Sequence, residues 1–220
     1  MLSNGSTVVD VGANIGMFSL FAAQEWPMCP IVAVEPVADL VHVCRLNLGG
    51  RALQLVEAAC LEAPGPVELT YYPHYSILSG RHASPEADLR AALATLRAAG
   101  QVADDIDDEE LVELLEVKLR GAIRIEVPGR TLDSIVEETV GRAPLGLVKV
   151  DVEGDEIAVI AGGRRSLLRA QNVVVEVSGS ARVRETARAL EAFGLVVENY
   201  QSAGYAGSEL ELLWGRRIPD

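Results

Sequence analysis

Short runs of β-branched and aliphatic residues alternate with helix-period segments along most of the chain. Thr7 to Val11 is a β-branched run closing on Asp10-Val11-Gly12, and the apolar positions Ile15, Phe18, Leu20 and Phe21 behind it predict a helix from about Asn14. Ile31 to Val34 repeats the arrangement: it ends in Glu35-Pro36, and Leu40, Val41, Val43, Cys44 and Leu48 carry a second helix to Gly49-Gly50. The chain therefore opens β-α-β-α. Leu53 to Ala59 and Val67 to Tyr72 are strand-like, and the turn-forming Ala63-Pro64-Gly65-Pro66 between them predicts an antiparallel pair or a strand with an extension.

From Ser84 the pattern changes. Ser84-Pro85-Glu86 starts a capped helix, Leu89, Leu93 and Leu96 hold helical spacing to Gly100, and a second helix spans Asp108 to Leu119. Acidic residues open that second helix and Lys118 and Arg120 close it, as its dipole favours. Asp104-Asp105-Ile106-Asp107-Asp108 lacks the glycine and terminal Glu of a calcium-binding hand and reads as a solvated acidic loop. Residues 82 to 121 form a helical insertion in a single domain, placed to act as a lid over a site; ordinary packing on the sheet is the alternative reading. Alternation then resumes with strands at Ile123 to Val127, Leu147 to Val152 and Asn172 to Val177, and helices at Leu132 to Glu138, Glu156 to Ala161 and Arg182 to Phe193. Leu195 to Tyr200 and Leu210 to Trp214 finish as a strand pair. Near-continuous Val, Leu and Ile strands interleaved with helices predict an α/β, doubly wound, mostly parallel sheet covered on both faces, with the closing pair as an antiparallel edge.

Composition narrows the function classes. The chain has 220 residues, 49% hydrophobic, enough for one sizeable core. Its formal net charge of -13 repels a phosphate backbone, so nucleic acid is not an expected partner. No apolar run reaches the roughly 18 residues of a membrane span, and Met1 to Gly5 lacks signal-peptide character, so a cytoplasmic protein without membrane contact is expected. Cys29, Cys44 and Cys60 match neither a disulfide framework nor a zinc knuckle and read as buried thiols.

In open α/β sheets ligands lie beyond the carboxyl ends of the strands, which directs attention to Asp10-Val11-Gly12-Ala13-Asn14-Ile15-Gly16, Glu35-Pro36 and Lys149-Val150-Asp151-Val152-Glu153-Gly154. The first segment lacks glycines at the spacing of a dinucleotide fingerprint. It places a carboxylate where a diphosphate would be repelled and a sulfonium or ammonium ligand tolerated, with Gly12 and Gly16 leaving the backbone bare. S-adenosylmethionine fits that description. Glu35, 19 residues beyond Gly16, ends the second strand, where a carboxylate can accept hydrogen bonds from both ribose hydroxyls.

Val-Asp-Val-Gly-Ala-Asn-Ile-Gly, Val-Glu-Pro, Val-Lys-Val-Asp-Val-Glu-Gly-Asp-Glu and the Val173 to Val177 strand together resemble the FkbM-type methyltransferases. The resemblance implies a seven-stranded class I, Rossmann-like fold, S-adenosylmethionine as donor and O-methylation. It implies a donor pocket made by Asp10, Gly12, Ala13, Asn14 and Gly16, by Glu35, Pro36 and Ala59, and by Asp151 and Glu153. Tyr71-Tyr72-Pro73-His74-Tyr75-Ser76 with the insertion is similar to members associated with polyketide or nonribosomal peptide synthases. An excised domain of a larger synthase, or a shortened variant, is then expected, since the first strand begins within ten residues of Met1. The acceptor would be a small molecule or an acyl-carrier-tethered intermediate, and Arg164, Arg165 and Arg169 are candidate docking residues.

For the chemistry, Lys149, Asp151 and Glu153 share one side if the strand persists, and Glu156 either joins them or caps the next helix. Asp151 and Glu176 are candidate ligands for a divalent metal such as Mg²⁺; a base paired with a lysine is the alternative. His74 is a candidate general base or a surface histidine, with His42 and His82 weaker. Tyr72, Tyr75 and Ser76 are candidates for the acceptor pocket. A nicotinamide-dependent oxidoreductase and a noncatalytic nucleoside-binding module are the other function classes.

Overall fold

Five consecutive buried residues, Thr7–Val11, make the first strand (β1), a pattern that requires a sheet covered on both faces. The computed structural model describes residues 2–49, 53–98, 107–200 and 210–218. Beside β1 lie Ile31–Val34 (β2) and then Leu53–Val56 (β3), all parallel. Ala59–Cys60 (β4), Gly65–Tyr71 (β5) and Ile123–Arg130 (β6) form a separate sheet, while Leu145–Val150 (β7), Asn172–Ser178 (β8), Val196–Tyr200 (β9) and Leu210–Arg216 (β10) complete the large one. Its order is β3-β2-β1-β7-β8-β10-β9, seven strands among the described residues. Among the described strands β10 alone runs against its neighbours; it lies between β8 and β9, so the closing pair forms that end of the sheet with its antiparallel member one strand in. Because β2 and β3 lie on one side of β1 and β7 on the other, strand order reverses beside β1 and opens a crevice there.

The helices follow the apolar spacing, with one informative shift. Met17–Glu25 (α1) begins three residues after Asn14, because Asn14 (φ 49°) and Gly16 (φ 83°) are both left-handed and cannot join a right-handed helix. Ala38–Leu48 (α2), Pro85–Ala98 (α3), Asp108–Leu119 (α4) and Leu132–Thr139 (α5) match the expected segments. After Glu156–Gly162 (α6), a six-residue helix Arg164–Arg169 (α7) was not signalled by any apolar period, and Ser180–Glu191 (α8) starts two residues early. The main core joins Val9, Val148, Val150, Val173 and Val175 of the sheet to Leu132, Ile135, Leu167 and Leu190 of α5, α7 and α8. Burial at this scale, about 1.5–3 kcal/mol per large aliphatic side chain, holds those helices on the sheet.

The middle of the chain departs from expectation. Leu53 to Ala59 does not pair with Val67 to Tyr72: the strand breaks after Val56, and Ala59–Cys60 moves to the small sheet, parallel to β6. There β5 pairs antiparallel with β6, Val67 opposite Val127, so Ile123 to Val127 does not enter the parallel sheet. The reason is legible in β6 itself. Ile-Arg-Ile-Glu-Val alternates apolar with charged residues, which suits a sheet with one wet face and would bury Arg124 and Glu126 in a two-sided one.

Helices α3 and α4 pack on each other through Ala92, Leu111 and Leu115, joined by Tyr75 and Leu78. This small core is separate from the main one. Asp107 caps α4 by accepting from the Glu110 N–H; Asp104, Asp105 and Ile106 lie outside the described residues. The three thiols are buried and unpaired by disulfide, and among the described residues no helix is long and apolar enough to cross a membrane.

Gly5 and Gly12 share φ 79°, yet a Cβ on Gly5 meets nothing within 4 Å, whereas one on Gly12 would lie 1.8 Å from the Asp151 carbonyl oxygen. Gly5→Ala is expected to cost about 1–2 kcal/mol from backbone strain alone and Gly12→Ala roughly 4 kcal/mol or more. Thermal melts of the two variants read the difference directly.

Candidate active site

The turn after β1 and the end of β2 meet through Glu35. The Gly12 and Ala13 amides both donate to the Val34 carbonyl, which folds the turn over β2. The Glu35 carboxylate then accepts from the Asn14 amide through Oε2 and from the Val37 amide through Oε1, each at 2.9 Å. Burial pushes its pKa up to about 7 against those two bonds, with Asp10 and Asp151 adding to the rise. Each carboxylate oxygen keeps a further lone pair for a ligand. Glu35 lines a cavity of about 470 Å³ together with Gly12, Asn14, Pro36, Ala59 and Asp151, a size within the range of roughly 300–1,000 Å³ of small-molecule sites.

Three residues expected at the donor do not face this cavity. Asp10 is completely buried and accepts from the Ser19 hydroxyl at 2.7 Å, with Lys149 Nζ 3.4 Å from its other oxygen. It cannot touch a ligand from there, so its expected direct contact is replaced by a hold on Lys149. Gly16 and Ala13 shape the turn instead of lining the cavity. A Cβ on Gly16 would come within 2.6 Å of Cys44 Sγ on α2, and Ala13 packs with Cys44 and Leu48.

At the β7 end the strand stops at Val150, and Glu153 is left-handed (φ 49°), so Lys149, Asp151 and Glu153 do not share one strand face. Lys149 still meets Asp151: its ammonium donates to Asp151 Oδ2 at 2.9 Å and lies over the Phe18 ring. Burial works to lower the Lys149 pKa, but Asp10 and Asp151 outweigh it and the net shift is upward. Asp10 is also raised, by burial over the opposing charge of Lys149. Lys149 is the firmly charged member of this group, because two carboxylates face its ammonium. Asp151, Glu153 and Glu176 face the cavity and Lys149 stands behind them. Burial first, then the Asp151 charge, raises Glu176 to about 7 against the pull of Lys149. Glu153 rises to about 8 for the same first cause, although its side chain keeps solvent contact through the open cleft.

Among the described residues no three His, Cys, Asp or Glu side chains gather as a metal site. The cation beside Asp151 is Lys149, which favours the lysine-paired base over the expected Asp151 and Glu176 metal pair. His74 is exposed in the turn after β5 and lies outside the cavity wall, so its expected role as base is not supported; His42 is exposed on α2. Glu156 is buried and accepts from the Gly154 amide at 2.7 Å, bracing the turn as a cap does.

Opposite Glu35 and Asp151, Tyr75, Ser76, Leu78 and the α3 residues Ala91, Ala92 and Leu96 close the cavity. The Ser76 hydroxyl donates to Asn14 Oδ1 at 3.1 Å and ties this wall to the first turn. Tyr72 is buried away from the cavity, its hydroxyl donating to Asp88 of α3. Sequence reasoning missed Arg81, which pairs with Asp155 in the wall, since Arg81 belongs to no strand-end motif and Asp155, inside the Val148 to Glu156 motif, was given no role there. The arginines singled out for docking are engaged internally. Arg165 pairs with Asp133 and Glu137, Arg169 donates to the Gly141 and Ala143 carbonyls, and Arg164 lies over Phe193.

Comparison with known proteins agrees with this geometry. Residues 10–206 match the methyltransferase FkbM domain. The 31-O-demethyl-FK506 methyltransferase FkbM of Streptomyces tacrolimicus is 33% identical over 225 residues, covering 98% of this chain and 82% of that protein. AMB antimetabolite synthetase AmbE of Pseudomonas aeruginosa is 34% identical over 80% of this chain, a stretch that makes up 8% of its own length. Among solved structures, the METTL16 MTase domain superposes with a TM-score of 0.52 at 10% identity, over 99% of this chain and 62% of that one, a likeness of fold.

Removing the Glu35 carboxylate leaves a buried and a half-buried amide without their acceptor and takes away the ribose contact expected there. Glu35→Ala should weaken S-adenosylhomocysteine binding by about 10- to 100-fold in calorimetry, with the circular dichroism spectrum retained.

Proposed function

This chain belongs to the FkbM methyltransferase family and is an S-adenosylmethionine-dependent methyltransferase, and on that premise we propose that it methylates a hydroxyl group of a natural-product intermediate, free or tethered to a carrier. The oxidoreductase and noncatalytic alternatives fall with the family assignment. The observation that carries the proposal is Glu176, a cavity-facing carboxylate raised to about 7 at the edge of the strand-end crevice. A hydroxyl must lose a proton as it is methylated, and a base titrating near neutral pH is suited to receive it.

The chain's residues fit the donor. Glu35 has unused lone pairs on the cavity side, Gly12 leaves the backbone bare, and no lysine or arginine stands in the Asp10–Gly16 turn or at Glu35-Pro36 to hold a diphosphate. When bound, the donor supplies a methyl group already activated by its sulfonium. The protein's part is alignment and proton removal. Glu35 orients the ribose; Asp151, held by Lys149, fixes the carboxylate side of the crevice; Glu176 takes the acceptor proton; and α3 narrows the opening to water. Two relatives support the acceptor class. The name of one specifies a 31-O-demethyl substrate, and the other is an antimetabolite synthetase within which a segment like this chain makes up a small part. The net charge of -13 speaks against a nucleic acid acceptor.

Glu176→Gln should lower turnover by about 10²–10⁴-fold with S-adenosylhomocysteine affinity kept. The sign of the pH dependence follows from the base being active when deprotonated: wild-type turnover rises with pH through about 7, and the variant loses that limb. Because Lys149 already supplies the cation at Asp151, treatment with a chelator should leave turnover unchanged; a loss restored by Mg²⁺ would return Asp151 and Glu176 to the role of metal ligands.

A further inference from the structure

Arg81 and Asp155 form a closed charge pair in the cavity wall. Arg81 Nε lies 2.9 Å from Asp155 Oδ2 and 3.0 Å from Oδ1, Nη2 makes a further contact with Oδ1, and His82 Nε2 is 3.0 Å from the same oxygen. Asp155 is 7% exposed. The two come from distant places in the chain: Arg81 stands at the root of the insertion, just before α3, and Asp155 is the residue before α6. Both line the cavity, alongside the apolar side chains of Leu61, Leu69 and Leu96.

Arg81 is the one cationic side chain among the described residues of that wall, while Asp151, Glu153 and Glu176 share it. Lys149 is turned toward Asp10 and Asp151 behind them. An arginine beside a ligand cavity ordinarily receives carboxylate or phosphate through its planar fork of donors. Here Asp155 occupies the fork, and Glu62 adds negative charge nearby. An acceptor carboxylate brought beside Arg81 would give up its hydration for the apolar side chains of Leu61, Leu69 and Leu96, a neutralised guanidinium and further acids.

We propose that Asp155, by neutralising Arg81, is a specificity-determining residue that excludes acceptors carrying a free carboxylate, so that any carboxyl group near the reacting hydroxyl must be masked as an ester, thioester, amide or lactone. The inference rests on the methyltransferase reading and deepens it. It also places the reaction: methylation precedes any hydrolysis that would release a free acid, and the class of reaction supplying the acceptor is one that delivers the acyl group in masked form.

The test uses the S-adenosylhomocysteine-loaded protein and two probes with one carbon chain, methyl hexanoate and hexanoate, titrated by calorimetry. Wild type is expected to favour the ester by about tenfold or more. Asp155→Asn keeps the shape of the side chain but leaves Arg81 unbalanced, and the preference should shrink or reverse. Arg81→Gln removes the cation and should widen it. The double variant should return to near the wild-type ratio. A role confined to packing would move both single variants the same way. Equal or tighter wild-type binding of hexanoate, binding of neither probe, or shifts of one sign in the two single variants overturns the proposal. Failure of the methyltransferase reading registers separately, as absence of S-adenosylhomocysteine binding to wild type before either probe is added.

Discussion

Lys149 is the ion on which the arrangement of the crevice depends. Its ammonium lies between Asp10 at the end of β1 and Asp151 just past the end of β7, so the two strands at the order reversal are tied by charge as well as by their ladder. The backbones follow the same constraint. Gly12 passes so near the Asp151 carbonyl that no side chain fits between them. A buried ammonium is costly to desolvate, and two carboxylates with a neighbouring aromatic face offset that cost. What this secures is the position of Asp151, and through it the separation between the donor turn and the carboxylates facing the acceptor.

The opposite side of the cavity is built on another principle. There α3 and α4 have their own small apolar core, joined to the segment carrying Tyr75 and Leu78 and not to the sheet. Polar ties fasten it to the rest of the molecule: Ser76 to Asn14, Tyr72 to Asp88, and Arg81 and His82 to Asp155. A donor half built on the sheet and a wall attached through polar contacts form a division in which acceptor preference can change without disturbing the donor site.

Much of the framework was legible in the sequence. The central strands β1, β2, β7 and β8 left Val, Ile or Leu runs, because parallel strands buried on both faces must be largely apolar. Gly12, Glu35 and Asp151 were found at strand ends for the topological reason that ligands gather there. The small sheet was misjudged because β5 and β6 are far apart in sequence and joined across the insertion, and local turn signals favour near partners. Asp10 misled because a carboxylate next to a glycine turn looks the same in sequence whether it faces a ligand or a buried lysine. His74 misled in the opposite direction, by being chemically apt and lying outside the cavity. Arg81 carried no signal, and Asp155, although inside the Val148 to Glu156 motif, gave none of its pairing, which comes only from meeting Arg81 across 74 residues.

We infer that this crevice, with a bare turn at Gly12 and Glu35 placed to meet a ribose, takes an S-adenosyl nucleoside and rejects a diphosphate. Parallel calorimetric titrations of the wild-type protein with S-adenosylhomocysteine and with NAD⁺ address it most directly. One-to-one binding of the former and no detectable heat with the latter is the result the structure predicts. Binding of NAD⁺ that displaces S-adenosylhomocysteine, or no uptake of S-adenosylhomocysteine, would contradict it.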